Sequence, residues 1–169
     1  MTKYSTEQTA ANRAAWAAAL RSGEYEQGNS ALVDELPDGT RAYCCLGVAC
    51  ELAVKEGILQ PWGSLKVRDG DHKIHGYPVA THEFSSENSV LPGEVAEWLG
   101  ITRRGRTTRT YKDSYRDDDD NLVESKDELP ANLIYYNDEV KATFADIADI
   151  IEGPDLIIDP DPDDVYDTE

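Results

Sequence analysis

The sequence predicts an α+β fold: a small antiparallel sheet of hairpins packed against about four helices, with an acidic C-terminal tail. Three observations carry that prediction. Apolar residues recur at helical spacing, most clearly over Thr6–Arg21 and Leu46–Ala53. Short strand-like runs flank turn sequences such as Pro37-Asp38-Gly39 and Asp69-Gly70-Asp71. The charge is lopsided: residues 1–112 hold 14 acidic and 13 basic side chains, residues 113–169 hold 20 and 3. A balanced globular body followed by an acidic remainder is the reading. Residues 1–153 are expected to form one domain, with a charged insert at about 102–128 and an acidic tail, disordered by composition, over 154–169.

The elements follow in order. Ser5 or Thr6 caps an Ala-rich helix, Trp16 and Leu20 anchor it, and Gly23 ends it. Residues 24–30 read as a connection. Ala31-Leu32-Val33 then pairs with Arg41-Ala42-Tyr43 across the Pro-Asp-Gly turn. Leu46, Ala49, Cys50 and Ala53 mark a helix that Lys55 and Gly57 close. Gly47 inside it sacrifices about 1 kcal/mol of propensity, which points to a close approach by another element. Ser64–Phe84 reads as a β segment, with Leu65–Arg68 and His72–His75 as a hairpin. Pro92–Leu99 is a short helix, and Leu129-Pro130 breaks the chain. Asn137-Asp138 is expected to cap a final helix to Glu152, with Val140, Phe144, Ile147, Ala148 and Ile151 as its core stripe.

Several of these stretches resemble a group of small bacteriophage proteins to which no activity is assigned. The segments are Ala19–Gly28, Tyr43-Cys44-Cys45-Leu46-Gly47-Val48, the Leu-Pro-x-x-Val-x-x-Trp-Leu-Gly of Leu91–Gly100, and Asn137-Asp138 followed by Phe144–Glu152. The resemblance implies a phage genome, one infecting an actinobacterium. It implies nothing about the arginine-rich insert or the tail, which depart from the group.

Candidate chemistry is sparse. Cys44, Cys45 and Cys50 lack the C-x-x-C spacing of a zinc site and suit a buried core. A metal site with His72, His75 or His82, or a Cys–His nucleophile, is the alternative. His72 and His75 fall on opposite faces of a strand, which disfavours a shared site. Arg103, Arg104, Arg106, Arg109 and Tyr111 together suggest phosphate and base contacts. The four aspartates at 117–120 point instead to self-neutralisation within the insert. In the tail, Asp161, Asp163, Asp164, Val165 and Tyr166 form a candidate docking peptide for a basic groove.

The formal net charge of −18 disfavours binding to nucleic-acid phosphates. No secretory apolar region follows Met1 and no apolar run spans a bilayer, so a host-cytoplasmic protein is expected. The function expected is a non-enzymatic phage accessory protein, without cofactor, that binds a host or defence component with a basic surface. A nucleotide-sequestering protein is the alternative, and a Cys/His metal-dependent enzyme the third reading.

Overall fold

The computed structural model describes residues 3–61, 63–67, 73–78, 86–87 and 90–158. Along the chain it runs α1 (Thr6–Arg21), β1 (Glu26–Gln27), β2 (Val33–Glu35), β3 (Arg41–Tyr43) and α2 (Cys45–Lys55). Then come β4 (Gly63–Val67), β5 (Lys73–Pro78), β6 (Ser86–Glu87) and α3 (Gly93–Leu99). The last elements are β7 (Arg106–Arg116), β8 (Leu122–Asn132), α4 (Leu133–Asp138) and α5 (Phe144–Glu152). The class is α+β, with five helices among the described residues.

The Ser5 hydroxyl accepts from Gln8 N, and the Gln8 side chain accepts from Ser5 N, a capping box that starts α1. One side of α1 buries Trp16, Ala17 and Leu20. β2 and β3 form the expected hairpin; Gly39 takes φ 85° in its turn and Thr40 N donates to Asp38. β5 pairs with β2 on one side and β4 on the other, with Val33 opposite His75. The strand order is β1-β3-β2-β5-β4, and β6 pairs with β5. β1 departs from the sequence reading: part of the supposed connection pairs parallel with β3.

α2 packs at the centre. Its buried residues run Cys45 to Cys50 without a break and include Ala53. A helix buried on every side sits between layers and does not lie on a surface. Gly47 is the reason it fits: an added Cβ would lie 1.8 Å from the Leu32 carbonyl oxygen. The sequence expectation of a close approach there is met by the backbone entering β2.

Three expectations about the C-terminal half need correction. Asn137 does not cap the last helix; it is buried inside α4, whose cap is Asn132. The last helix starts at Phe144, where Thr143 and Asp146 form a capping box. Lys141, at φ 60°, lies between the two helices, and Val140 is exposed and outside the core stripe. Nor does Leu129-Pro130 break the chain, because β8 runs through it, with Thr110 opposite Pro130. A proline survives in an edge strand where its missing N–H faces away from the partner.

Residues after α5 also join the body. Leu156 is buried and bridges Thr107, and Ile158 bridges Ile101. The Asp69-Gly70-Asp71 turn, His72, Val79, His82, Phe84 and residues 159–169 lie outside the described residues. Among the described residues, no helix is long and apolar enough to cross a membrane.

Candidate functional site

The thiol helix is interior. Cys45 and Cys50 have no exposure, and Cys44 is 5% exposed. Burial pushes the Cys44 thiol up to about 12, against weaker lowering by the amides of Gly47 and Leu46. Burial raises Cys45 and Cys50 well above their ordinary range too. Thiols so placed stay protonated at neutral pH and are poor nucleophiles. Among the described residues, no three His, Cys, Asp or Glu side chains gather in a way that would hold a metal ion.

An amide network, buried at Asn137 and exposed at Gln27, surrounds the start of α2. Asn137 Oδ1 accepts from Cys45 N at 3.2 Å and from Gln27 Nε2 at 3.1 Å. Asn137 Nδ2 donates to Gly28 O at 2.9 Å and to Asp138 Oδ1 at 2.7 Å. Gln27 Oε1 accepts from Phe144 N at 3.1 Å, and Gln27 Nε2 also donates to Ala142 O at 2.8 Å. Trp16 Nε1 donates to Cys45 O at 2.9 Å. These bonds tie α1, β1, α2, α4 and the start of α5 at one point. The Asn137-Asp138 signal in the sequence is real, but its job is to fill an orphan N–H of α2. Gln27 carried no such signal, because nothing local distinguishes it.

The arginines of 103–109 are dispersed. Arg103 Nε donates to Leu91 O at 2.8 Å, while Leu91 N donates to Arg103 O, so Arg103 clamps the entrance to α3. Arg104 is exposed and Arg106 half-buried at the foot of β7. Arg109 grips one oxygen of Asp155, Oδ2, through Nε at 2.7 Å and Nη2 at 2.5 Å, a charge-assisted pair. Tyr111 stacks on Tyr135 at 3.8 Å and 17°. Arg109 lines an open cleft of about 560 Å³ with Tyr136, Lys141, Asp146, Asp149 and Asp155. Among the described residues the cleft therefore carries three carboxylates to two cations, a poor receptor for phosphate. His75 is buried beside Glu35, Nε2 to Oε2 3.4 Å, and His72 and His82 lie outside the described residues. So do Asp161, Asp163, Asp164, Val165 and Tyr166.

The longest strands among the described residues form the β7–β8 arm. Its strands are 11 residues each, and residues 108–110 and 126–130 are exposed. Among the described residues, two ion pairs form within it. Lys112 Nζ lies 3.8 Å from Glu124 and pairs in register with Glu128; Arg116 reaches Asp120 at 3.4 Å. Thr107 Oγ1 donates to Ala131 O across the foot, the tail adds Thr108 N to Asp155 O and Ile157 N to Arg106 O, and the Tyr111–Tyr135 stack holds the middle of β7 against α4.

A family model described as a domain of unknown function, DUF8296, matches residues 10–154. The chain belongs to that family. The match runs from α1 past α5 to Pro154, so the DUF8296 domain includes the arm, the thiol helix and the Asn137 network. No curated protein and no solved structure matches the chain.

Proposed function

We propose that this DUF8296 domain is a non-enzymatic phage accessory protein that binds a host or defence component through its acidic surface, in the host cytoplasm. The observation that carries the reading is the outward display of the acids. Glu124, Asp127, Glu128, Asp146 and Asp149 are all exposed, as are three of the four aspartates at 117–120. The body below them is ordinary and well packed. Repulsion among so many like charges works against compactness, so a folded domain that retains them has a use for them outside. The phage origin rests on the motifs at Tyr43–Val48, Leu91–Gly100, Asn137-Asp138 and Phe144–Glu152.

Buried, protonated thiols give no support to a Cys/His enzyme. The dispersed arginines give none to a nucleotide receptor, since Arg103 and Arg109 already hold Leu91 and Asp155. The test is retention of basic proteins from a bacterial lysate on the immobilised domain at low salt and at 0.5 M salt. A variant with Glu124, Asp127 and Glu128 changed to amides runs beside it. The reading expects retention that falls with salt and with the variant. Nothing basic retained, or equal retention by the variant, refutes it.

A further inference from the structure

We propose that the free edge of β8 receives an extended basic segment of a partner protein, which adds a third strand to the arm. This deepens the acidic-surface reading and rests on it.

The first reason is the edge itself. Among the described residues, β7 is the only strand partner of β8. The far side of β7 is closed at its foot by the residues after α5, through Thr108 N to Asp155 O and Ile157 N to Arg106 O. No described strand covers the far side of β8. Such an edge offers N–H and C=O groups as a template for another strand, except at Asp127, whose N–H donates to Ser125 Oγ, and at Pro130, which has no N–H. A two-stranded ribbon is by itself marginally stable in water, so a third strand adds stability the arm lacks.

The second reason is charge. Between Leu122 and Asn132 the strand carries Glu124, Asp127 and Glu128 against the single Lys126. The cations of β7 are spent inside the arm or at its foot: Lys112 on Glu124, Arg109 on Asp155. Lys112 offsets Glu124 and Thr110 Oγ1 donates to Glu128 Oε2, which leaves Asp127 and Glu128 against Lys126, a net acidic strand. A second β8 edge would set carboxylates against carboxylates, which disfavours another copy of this chain. A strand with Lys or Arg at alternate positions faces attraction instead. Leu122, 70% exposed, and Leu129, 36% exposed, add apolar positions at both ends of the edge. A register shift between Glu124 and Glu128 folds two extra residues into β8, so Leu122 to Leu129 lies opposite only Arg116 to Tyr111; at about 3.3 Å per residue that is roughly 17 Å, room for about six residues of an extended peptide.

The test uses the full chain and a nine-residue peptide alternating Lys with Val or Thr. Amide exchange is followed through the arm. Binding with slowed exchange across residues 122–129 is expected, weakened about tenfold or more when alternate peptide amides are N-methylated, the size of one to three net backbone hydrogen bonds. The Glu124→Gln, Glu128→Gln variant, checked for an unchanged melting temperature, is expected to bind more weakly still. Equal binding of the methylated peptide, without protection in β8, overturns the added strand and leaves salt-sensitive surface attraction standing. Failure of both peptides at low salt overturns both readings. Protection of β7 instead, or self-association protecting both strands, assigns the edge to another occupant and also overturns it.

Discussion

Replacing Gly47 by alanine puts a methyl carbon 1.8 Å from the Leu32 carbonyl oxygen and 2.7 Å from its carbon. Real Cβ contacts stay beyond 3.0 Å, so α2 and the chain entering β2 must part by more than about 1 Å. Helix propensity favours alanine by about 1 kcal/mol. Overpacking works the other way, at about 1–3 kcal/mol or more, and here the obstacle is backbone, which no rotamer change relieves. The net expectation is a loss of about 2 kcal/mol or more. With an m-value of about 2 kcal/mol/M, that moves the urea midpoint down by about 1 M. Trp16, fully buried against Cys45, reports the transition by fluorescence. Gly93→Ala is the control: its added Cβ meets nothing within 4 Å at the start of α3, and it is expected to stabilise by up to about 1 kcal/mol. A Gly47→Ala protein as stable as the parent refutes the packing described for α2.

Other outcomes are expected. Asn137→Ala strands Cys45 N and Gly28 O in the core and should lower stability by about 2–4 kcal/mol, read by thermal and urea unfolding; a loss under about 0.5 kcal/mol contradicts the network. Arg109→Ala frees Asp155, so amide exchange at Thr108 and Ile157 should quicken while the melting temperature barely moves. Asp146 is held below its ordinary carboxyl range by the Thr143 hydroxyl and then the Thr143 amide; Asp117 is lowered by the Asn121 and Asp119 amides. Lowered folded-state values mean these bonds stabilise fully above the ordinary value of 3.8 and fail as pH falls through the lowered ones. Carboxyl NMR titrations should place both midpoints below the ordinary value of 3.8, and ordinary midpoints would contradict the cap and the turn.

Where the signals were local, the sequence disclosed the fold. Ser5 and Gln8 lie three residues apart, Pro37-Asp38-Gly39 is complete in itself, and Gly47 stands out in a run of core residues. The last helix failed for a physical reason. Asn137 is a good cap in isolation, but burial against Cys45 N satisfies it better, and Thr143 with Asp146 makes a reciprocal cap six residues later. The stripe of Phe144, Ile147, Ala148 and Ile151 is real; Val140 merely shares its spacing. β8 was hidden because Pro130 argues against a strand unless the strand is an edge, and edges are decided by neighbours far along the chain. The bridges of Leu156 to Thr107 and Ile158 to Ile101 are equally non-local. For the candidate site, the acid excess was legible in the sequence. That the arginines would be drawn off singly, to Leu91 and to Asp155, was not.

Thiol labelling of the native protein tests most directly the claim that the Tyr43–Leu52 stretch is interior and that binding is left to the outer surface. With a small maleimide at pH 7, Cys44, Cys45 and Cys50 are expected to remain unmodified in native protein and to react fully after unfolding in guanidinium chloride. Rapid, stoichiometric modification of any one of them in the folded protein would contradict the claim and return the function to a thiol.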